Sequence, residues 1–456
     1  MDRGISRIHF RNRLQGCFGL LVLLLIYSIT ASAVEFKEGS IGQTLDLLPD
    51  NPPTDEYPFL KNLPIEVLYS TGTFPASDID SASGWIYLPD GNDSSIRPLS
   101  HLIERFYPGF NSTRAMLFMG TKNQVHPITL FDGYVWKVYE FPLGIRPTAM
   151  AWSPSLGIVF GNNDEMTICC GEGNQGVCHL SEQGIISRLF WPPLLRRWQD
   201  KDKRLNETRD IWSETRNIWS LQFSSANTLW VGMDYALIRL DFDSDSWTLY
   251  DEYNSLIQGR VLHIAKVQGK NLIRCLCLNP VGENWISAVG RMVRIEPGKI
   301  TEEPLPADAR KAIPPWGPIV SDSSGTIWFV GIDRIWRSDL NETRPVIELP
   351  DLAWRRNGND LYSDRQHLWV DTSERVWFAD KRDLWILGSE GWLYLHHQVF
   401  DERANKGRQI NSIGEDLMGR IWVSWSWDTH QHCVSVLGRA ARAQLEDSIG
   451  PPHGVE

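Results

Sequence analysis

Residues Ser321–Asp339 read SDSSGTIWFVGIDRIWRSD. A polar turn, Asp322-Ser323-Ser324-Gly325, leads into the apolar run Thr326-Ile327-Trp328-Phe329-Val330. Gly331-Ile332-Asp333 makes a second turn, and Arg334-Ile335-Trp336-Arg337 a second short run of alternating polarity. Aromatic and β-branched residues bounded by Gly, Asp and Ser at this spacing predict a hairpin. The pattern recurs at Asp80–Leu88, Ala226–Gly232, Gly282–Ile286, Ser373–Phe378 and Met418–Val423, with degenerate copies at Ala115–Gly120 and Ser155–Gly161. Its anchors are Trp85, Trp230, Trp285, Trp328, Trp377 and Trp422. The last five are separated by 55, 43, 49 and 45 residues.

Each clear copy continues into further strands. Leu237–Asp241 is followed by Ser246–Tyr250, and Leu384–Leu387 by Gly391–Leu395. A period near four dozen residues, built of short strands with no long helical pattern, is the signature of a ring of sheets. The expected fold is therefore an all-β propeller of four-stranded antiparallel blades. Anchors at 85, 117, 159, 230, 285, 328, 377 and 422 count eight, but the first gap is short. Seven blades are expected, with eight as the alternative, and the strand at Trp85 is expected to close the ring with the last. Packing blades face to face buries both faces of each sheet, and each tryptophan offers a large side chain to its neighbour.

The 456 residues contain 21 Trp and carry a net charge of -11. Residues 1–33 hold four Arg and one Asp, leaving the remainder near -14. So acidic a body argues against a nucleic-acid partner or an anionic membrane surface. Arg3, Arg7, Arg11 and Arg13 precede the apolar run Cys17–Ile29, and Ala31-Ser32-Ala33 is a small-x-small site. These are the parts of a secretory signal. A secreted or periplasmic protein is expected, with an uncleaved N-terminal anchor as the alternative and the membrane a partner only then. Export permits disulfides. Cys178 with Cys169 or Cys170 closes a small loop, and Cys170–Cys178 is the candidate pair. Cys275 and Cys277 alternate along one run, so they face the same way and are poorly placed to join.

The expected organisation is a signal at 1–33, an extended Pro-rich lead-in at 34–69, the propeller at 70–437 and a flexible tail at 438–456. The 159–230 gap is long and holds an insertion at about 190–219. Arg196, Arg197, Trp198 and Trp212 in it are candidates for a partner-binding loop. Other motifs read as scaffold. Gly171-Glu172-Gly173-Asn174-Gln175-Gly176 has no following helix or βαβ unit, so it is a hairpin loop rather than a dinucleotide site. Asp241, Asp243 and Asp245 have calcium-loop spacing, but Ser246 stands where Gly is needed and no distal Glu follows, so they form a polar turn. His430, His432 and Cys433 are metal-ligating types, but alternation sets only His430 and His432 on one face and no third partner joins them, so they read as blade surface.

The repeat "polar turn, Gly, x, Ile/Leu-Trp-Val/Phe, turn, Leu-x-Arg-Leu-Asp, Trp-x-x-Tyr" resembles the propeller repeats of two-component regulators, over roughly residues 70–437. Gly298–Pro306, Pro315-Trp316-Gly317-Pro318-Ile319 and Gly325–Phe329 resemble streptogramin lyase. That resemblance implies a propeller whose elimination uses a histidine and a magnesium ion. Here the histidine positions hold Trp316 and Thr148, and no His occurs between His263 and His367. A general base must reach its proton, so the resemblance carries the fold and not the activity. The functional expectation is an exported sensor or binding propeller, taking a small ligand or protein without catalysis and with no cofactor. The alternative is a divergent lyase or hydrolase with a divalent metal on the ring axis. If the signal is processed, N-terminal sequencing of the exported chain will begin at Val34; recovery of residues 1–33 in the membrane fraction would show an anchor instead.

Overall fold

The computed structural model describes residues 147–162, 176–181, 185–190, 218–251, 255–348, 366–395 and 408–449, the last three with short breaks. It also describes strands at 37–40, 65–66, 68–73, 85–88, 102–107, 116–121, 128–131 and 135–140. Four strands come from the N-terminal arm: β1 (Lys37–Ser40), β2 (Ile65–Glu66), β3 (Leu68–Thr73) and β4 (Trp85–Leu88). Six blades follow, each a meander of four consecutive strands. Blade 1 holds β5 (Leu102–Tyr107), β6 (Met116–Thr121), β7 (Ile128–Phe131) and β8 (Val135–Glu140). Blade 2 holds β9 (Pro147–Ser153), β10 (Gly157–Asn162), β11 (Gly176–Leu180) and β12 (Ile185–Phe190). Blade 3 holds β13 (Ile218–Ser225), β14 (Thr228–Met233), β15 (Ala236–Asp241) and β16 (Ser246–Asp251). Blade 4 holds β17 (Arg260–Lys266), β18 (Ile273–Val281), β19 (Asn284–Glu296) and β20 (Lys299–Glu303), followed by helix α1 (Ala307–Ala312). Blade 5 holds β21 (Ile319–Ser321), β22 (Ile327–Val330), β23 (Arg334–Ser338) and β24 (Thr343–Glu348). Blade 6 holds β25 (Gln366–Val370), β26 (Val376–Asp380), β27 (Asp383–Gly388) and β28 (Gly391–Leu395). The closing sheet takes β29 (Arg408–Glu415), β30 (Ile421–Trp427) and β31 (Gln431–Leu437) from the C-terminal part and β4 from the arm. Helix α2 (Arg439–Ile449) comes last.

The first strand of each sheet lines the middle of the ring. From β9 through β13, β17, β21, β25 and β29 to β5, these strands are neighbours in unbroken succession. Apolar clusters fill the spaces between blades. Ala265, Leu276 and Met292 of blade 4 meet Ile327, Phe329 and Trp336 of blade 5. Trp328, Val330 and Ile335 of blade 5 meet Leu368, Val376 and Phe378 of blade 6. Both faces of each such sheet are thus removed from water, which is why β22 and β26 are buried at every position.

The uniform ring of seven or eight four-stranded blades, expected from the tryptophan period, is corrected. The chain makes six blades of its own and completes the ring with a sheet shared between its two ends. Blades 1, 2 and 3 are five-stranded, because β3, β2 and β1 pair with their outer strands β8, β12 and β16. The segment at 34–69 therefore contributes strands to the propeller, and the arm adds them in the reverse of blade order. β4 pairs with β31, so Trp85 sits on the strand that closes the ring. The tail expected at 438–456 is also corrected. Arg439–Ile449 is helical, and Ala441, Leu445 and Ile449 pack on the cluster between blade 6 and the closing sheet.

One local device repeats. Trp328, Trp377 and Trp422 each donate the indole N–H to a carboxylate six residues earlier: Asp322 (3.1 Å), Asp371 (2.7 Å) and Asp416 (2.8 Å). The same carboxylates accept backbone N–H groups of their turns, from Thr326, Arg375 and Arg420. In blade 3, Ser224 accepts from Trp230 at 3.1 Å. Gly325 lies in this turn at φ +85°, and a Cβ there would stand 2.7 Å from the Lys266 carbonyl of blade 4. Backbone hand and space both exclude a side chain. In the closing sheet Asp416 also holds the Arg420 guanidinium at 2.6 Å, both residues being buried. Asp416→Ala leaves Arg420 without that carboxylate and is expected to cost about 3–5 kcal/mol. Asp322→Ala, at a half-exposed turn, is expected to cost about 1–2 kcal/mol. Urea denaturation of the two variants checks the order.

Candidate binding site at the start of the innermost strands

Trp230, Trp328, Trp377 and Trp422 are buried on the second strands of their sheets. Trp285 is not: it lies in β19, the third strand of blade 4. The anchor position there belongs to Arg274. Register sets Gln222 opposite Trp230 in blade 3 and Ala265 opposite Arg274 in blade 4. The blade 4 turn closes from Val267 to Leu272, one residue longer than the Asp322–Thr326 turn, and Val267 stands where other blades hold Asp. Arg274 is fully buried. Its guanidinium binds Glu303 at 2.6 Å and crosses to blade 5, donating to the carbonyls of Gly325, Ser338 and Asp339 and to the Ser338 hydroxyl.

At the end of the ring where first strands turn into second strands, charged groups lock blade 6 to the closing sheet. Arg442 of α2 binds Asp371 at 3.1 Å, Glu446 at 2.7 Å and Glu415, and donates to the Gly419 carbonyl at 2.8 Å. Glu415 in turn accepts the Thr372 N–H and hydroxyl, each at 2.7 Å. Burial pushes the Asp371 carboxyl up, against the pull of Arg442 and the Trp377 indole. Burial alone would lower the Arg442 guanidinium, but the Asp371 and Glu415 carboxylates hold it above its ordinary value. Both carboxylates are spent on Arg442, Trp377 and backbone groups, so this pair is a fastening rather than an acid–base couple.

The opposite end of the ring, where first strands begin, is built differently. β13 carries a register irregularity between Ile218 and Ser220, leaving Trp219 as its extra residue. Such a bulge re-aims one side chain. The half-buried Trp219 indole donates to Asp234 at 3.0 Å, and Arg260 donates to the same oxygen at 2.9 Å. The Arg260 guanidinium lies 4.7 Å from the centre of the Trp219 ring, a cation–π contact. Asp234 and Arg260 are both buried and belong to adjacent blades, so the ring is fixed from two sides. Bulges recur in β17 between Val261 and His263, and in β29 between Ile410 and Ser412. At this end hydroxyls also stitch blades together. Thr148 donates to the Ile218 carbonyl at 2.9 Å, and Ser220 to the Val261 carbonyl at 2.9 Å. Gly232 makes room for the second, since a Cβ there would stand 2.2 Å from the Ser220 hydroxyl. Thr148, at a position where the lyase resemblance implies histidine, is thus engaged in holding blades.

His263 follows the β17 bulge, and its Nε2 is buried with no hydrogen-bond partner. Burial lowers its pKa to about 4. The free thiols of Cys275 and Cys277 are buried in one cluster with Trp230, Leu237 and Val261, on the same face of β18. Burial pushes Cys277 up to about 12. Cys178 is buried in β11, and Cys170 lies outside the described residues. Arg196, Arg197, Trp198 and Trp212 also lie outside them. Phe190 and Trp219, the bounds of the expected insertion, belong to β12 and β13. Asp241–Ser246 is the inter-strand turn of blade 3, with Asp243 accepting from Asn227 at 2.7 Å.

No protein-family model matches the chain, and no curated protein matches it in sequence. Solved structures that match include a catalytically inactive virginiamycin B lyase from Staphylococcus aureus, at 14% identity and TM-score 0.48. That match covers 77% of this chain and 99% of the other. The extracellular domain of a hybrid two-component system from B. thetaiotaomicron matches at 13% identity and TM-score 0.46, over 77% of this chain and 39% of that one. A second such domain from the same organism matches at 12% identity and TM-score 0.47, over 76% and 42%. The chain thus spans about two fifths of those extracellular domains. Both kinds of propeller that the sequence resembles are among these neighbours. At such identities and TM-scores they bear on neither ligand nor activity.

His263 gives a pH dependence whose sign follows from its depressed pKa. Between pH 6.5 and about 4 the unfolded chain takes up a proton that the folded chain does not. Stability contributed by the neutral imidazole is present above pH 6.5 and is lost as pH falls toward 4. Melting temperatures measured at pH 7 and pH 4.5 are expected to differ less in His263→Leu than in the parent chain; an equal difference would place the lost stability elsewhere.

Proposed function

We propose that this chain is an exported, non-catalytic binding module whose ligand or partner docks where the innermost strands begin. One observation carries the reading: Trp219 is a half-buried aromatic ring on an innermost strand, clamped by Asp234 and Arg260 from two blades. A pre-ordered aromatic surface gives contact area without the entropy of ordering a side chain on binding, and mixed apolar and polar walls are what ligand sites use. The bulges at Trp219, Leu262 and Asn411 put side chains out of strand alternation at this end of the ring. The opposite end is closed by Arg442, which bridges the carboxylates of Asp371 and Glu415. Thr148 and Ser220 serve as bridges between blades, so neither is free to move a proton.

Among the described residues no helix is long and apolar enough to cross a membrane. The Arg-rich start and small-x-small site of residues 1–33 support export.

A thermal-shift screen of the mature chain against small polar and aromatic compounds, run beside Trp219→Ala, tests the site. Stabilising compounds are expected to lose their effect in the variant while its fold, followed by circular dichroism, persists. Compounds that stabilise both proteins equally would place the site elsewhere. Magnesium and calcium form a separate arm. A metal-dependent shift abolished by His263→Leu or Asn411→Ala would favour the lyase or hydrolase alternative and overturn the non-catalytic reading.

A further inference from the structure

We propose that Asn341 carries a covalent glycan, attached through its side-chain amide as the chain is exported. Asn341-Glu342-Thr343 is an Asn-x-Thr acceptor triplet with Glu, not Pro, in the middle. The inference rests on the export reading, since this modification belongs to surface loops of exported chains. Asn92, Asn111 and Asn206 begin triplets of the same kind but lie outside the described residues.

The fold gives the Asn341 side chain no other task. It sits in the turn that joins β23 to β24 of blade 5. An asparagine in a turn ordinarily bonds its side chain to the backbone or takes up a left-handed conformation. Asn341 does neither. Its side-chain amide has no hydrogen bond among the described residues, and its φ is not positive. The turn is closed by Asp339 instead. That carboxylate accepts the N–H groups of Asn341 at 2.8 Å and Glu342 at 3.0 Å, and the Asp339 N–H donates to the Glu342 carbonyl at 3.1 Å. Arg274 of blade 4 holds the base of the turn through the carbonyls of Ser338 and Asp339. A turn fixed at its base and open at its tip holds the amide out in water, and Asn341 and Glu342 are both exposed.

Position also suits a bulky group. In a meander the third-to-fourth turn lies at the same end as the first-to-second turn, so Asn341 is at the end fastened by Arg442. A glycan there leaves the mouth beside Trp219 open. It stands next to exposed Arg344 and Pro345 at the start of β24, the outer strand of the blade. The transfer needs a glycosyl diphosphate donor. The amide nitrogen bonds to the anomeric carbon, and the anomeric C–O bond to the diphosphate breaks. The diphosphate leaves with the electron pair, and the amide gives up one proton to a base of the transferase. Thr343 is read together with Asn341, and in the fold its hydroxyl is engaged with that of Ser338 at 2.8 Å. Transfer therefore precedes closing of the β23–β24 hairpin.

Peptide mass spectrometry of the chain exported by its native host tests this. Trypsin releases Asn341 within Ser338–Arg355, because Pro345 follows Arg344. That peptide is expected to carry the added mass of a glycan. An amidase that splits the sugar–asparagine bond is expected to remove it, leaving an aspartate in place of the asparagine. Asn341→Gln and Thr343→Val are expected to abolish the added mass, and Thr343→Ser to retain it. An exported chain whose Ser338–Arg355 peptide is wholly unmodified overturns the proposal. So does an added mass that survives Asn341→Gln, which would place the group on Ser338 or Thr343. A chain found only in the cytoplasm fails the export reading itself and takes this proposal with it.

Discussion

Blades 5 and 6 and the closing sheet are built on a hydrogen bond between an indole N–H and a carboxylate six residues upstream. A tryptophan that fills the space between two sheets takes its N–H out of water, and leaving that group unpaired is costly. Asp322, Asp371 and Asp416 pair it from within the same hairpin and close the turn through backbone N–H groups at the same time. One side chain therefore fixes both turn length and rotamer. The cost is a backbone residue in the left-handed region three places after the Asp. Gly325 and Gly419 accept that readily, at φ +85° and +75°, whereas Glu374 is held there at +62°. Where the turn is one residue longer, from Val267 to Leu272, the carboxylate and the indole are both gone. Arg274 then fills the same position and ties the next blade instead.

What could be read from the sequence follows from that device. A tryptophan on a short apolar strand behind a polar turn is a local pattern, so the sheets at Trp230, Trp328, Trp377 and Trp422 were legible. Trp285 fitted the period but not the position, because periodicity does not say which strand of a sheet a residue occupies. Arg274 could not have been found this way. A buried arginine makes sense only with Glu303, Ser338 and Asp339 around it, residues 29 to 65 positions away. β1 and β2 have four and two residues and no alternation to detect, and their partners lie far along the chain. The helix at Arg439–Ile449 was masked by the Gly-Pro-Pro that follows it, although Ala440, Ala441, Gln444 and Leu445 favour helix. The aromatic-rich stretch before Trp219 hides the start of β13 in the sequence. The pairing of Trp219 with Asp234 and Arg260 is a product of two blades meeting.

The two ends of the ring are under different constraints. At the end formed by first-to-second-strand turns, carboxylates, guanidiniums and indoles are matched, and α2 lies across blade 6 and the closing sheet. A surface whose carboxylates are engaged by Arg442, Trp377 and backbone groups has little left to offer a ligand. At the other end the first strands carry bulges, and an unpartnered imidazole nitrogen sits at His263. Rigidity at one end permits irregularity at the other, because the bulged ends need not also hold the ring shut. This asymmetry is why the proposed binding site lies beside Trp219 and not over the acidic groups of the turns.

The junction between blade 6, the closing sheet and blade 1 is where a ring made from one chain is weakest, since nothing covalent runs from β31 back to β5. The chain fastens it with both ends. β4 pairs with β31 along Trp85–Leu88, while Arg442 binds Asp371 of blade 6 and Glu415 of the closing sheet. The arm reaches that position only after passing blades 3, 2 and 1, adding a strand to each. It therefore runs against the order in which the blades themselves follow one another. Blades 1, 2 and 3 cannot leave the ring without also breaking the arm's pairing with them. Closure and the extension of blades 1, 2 and 3 are thus one structural solution, made by an N-terminal arm whose lead-in is rich in prolines and acidic residues.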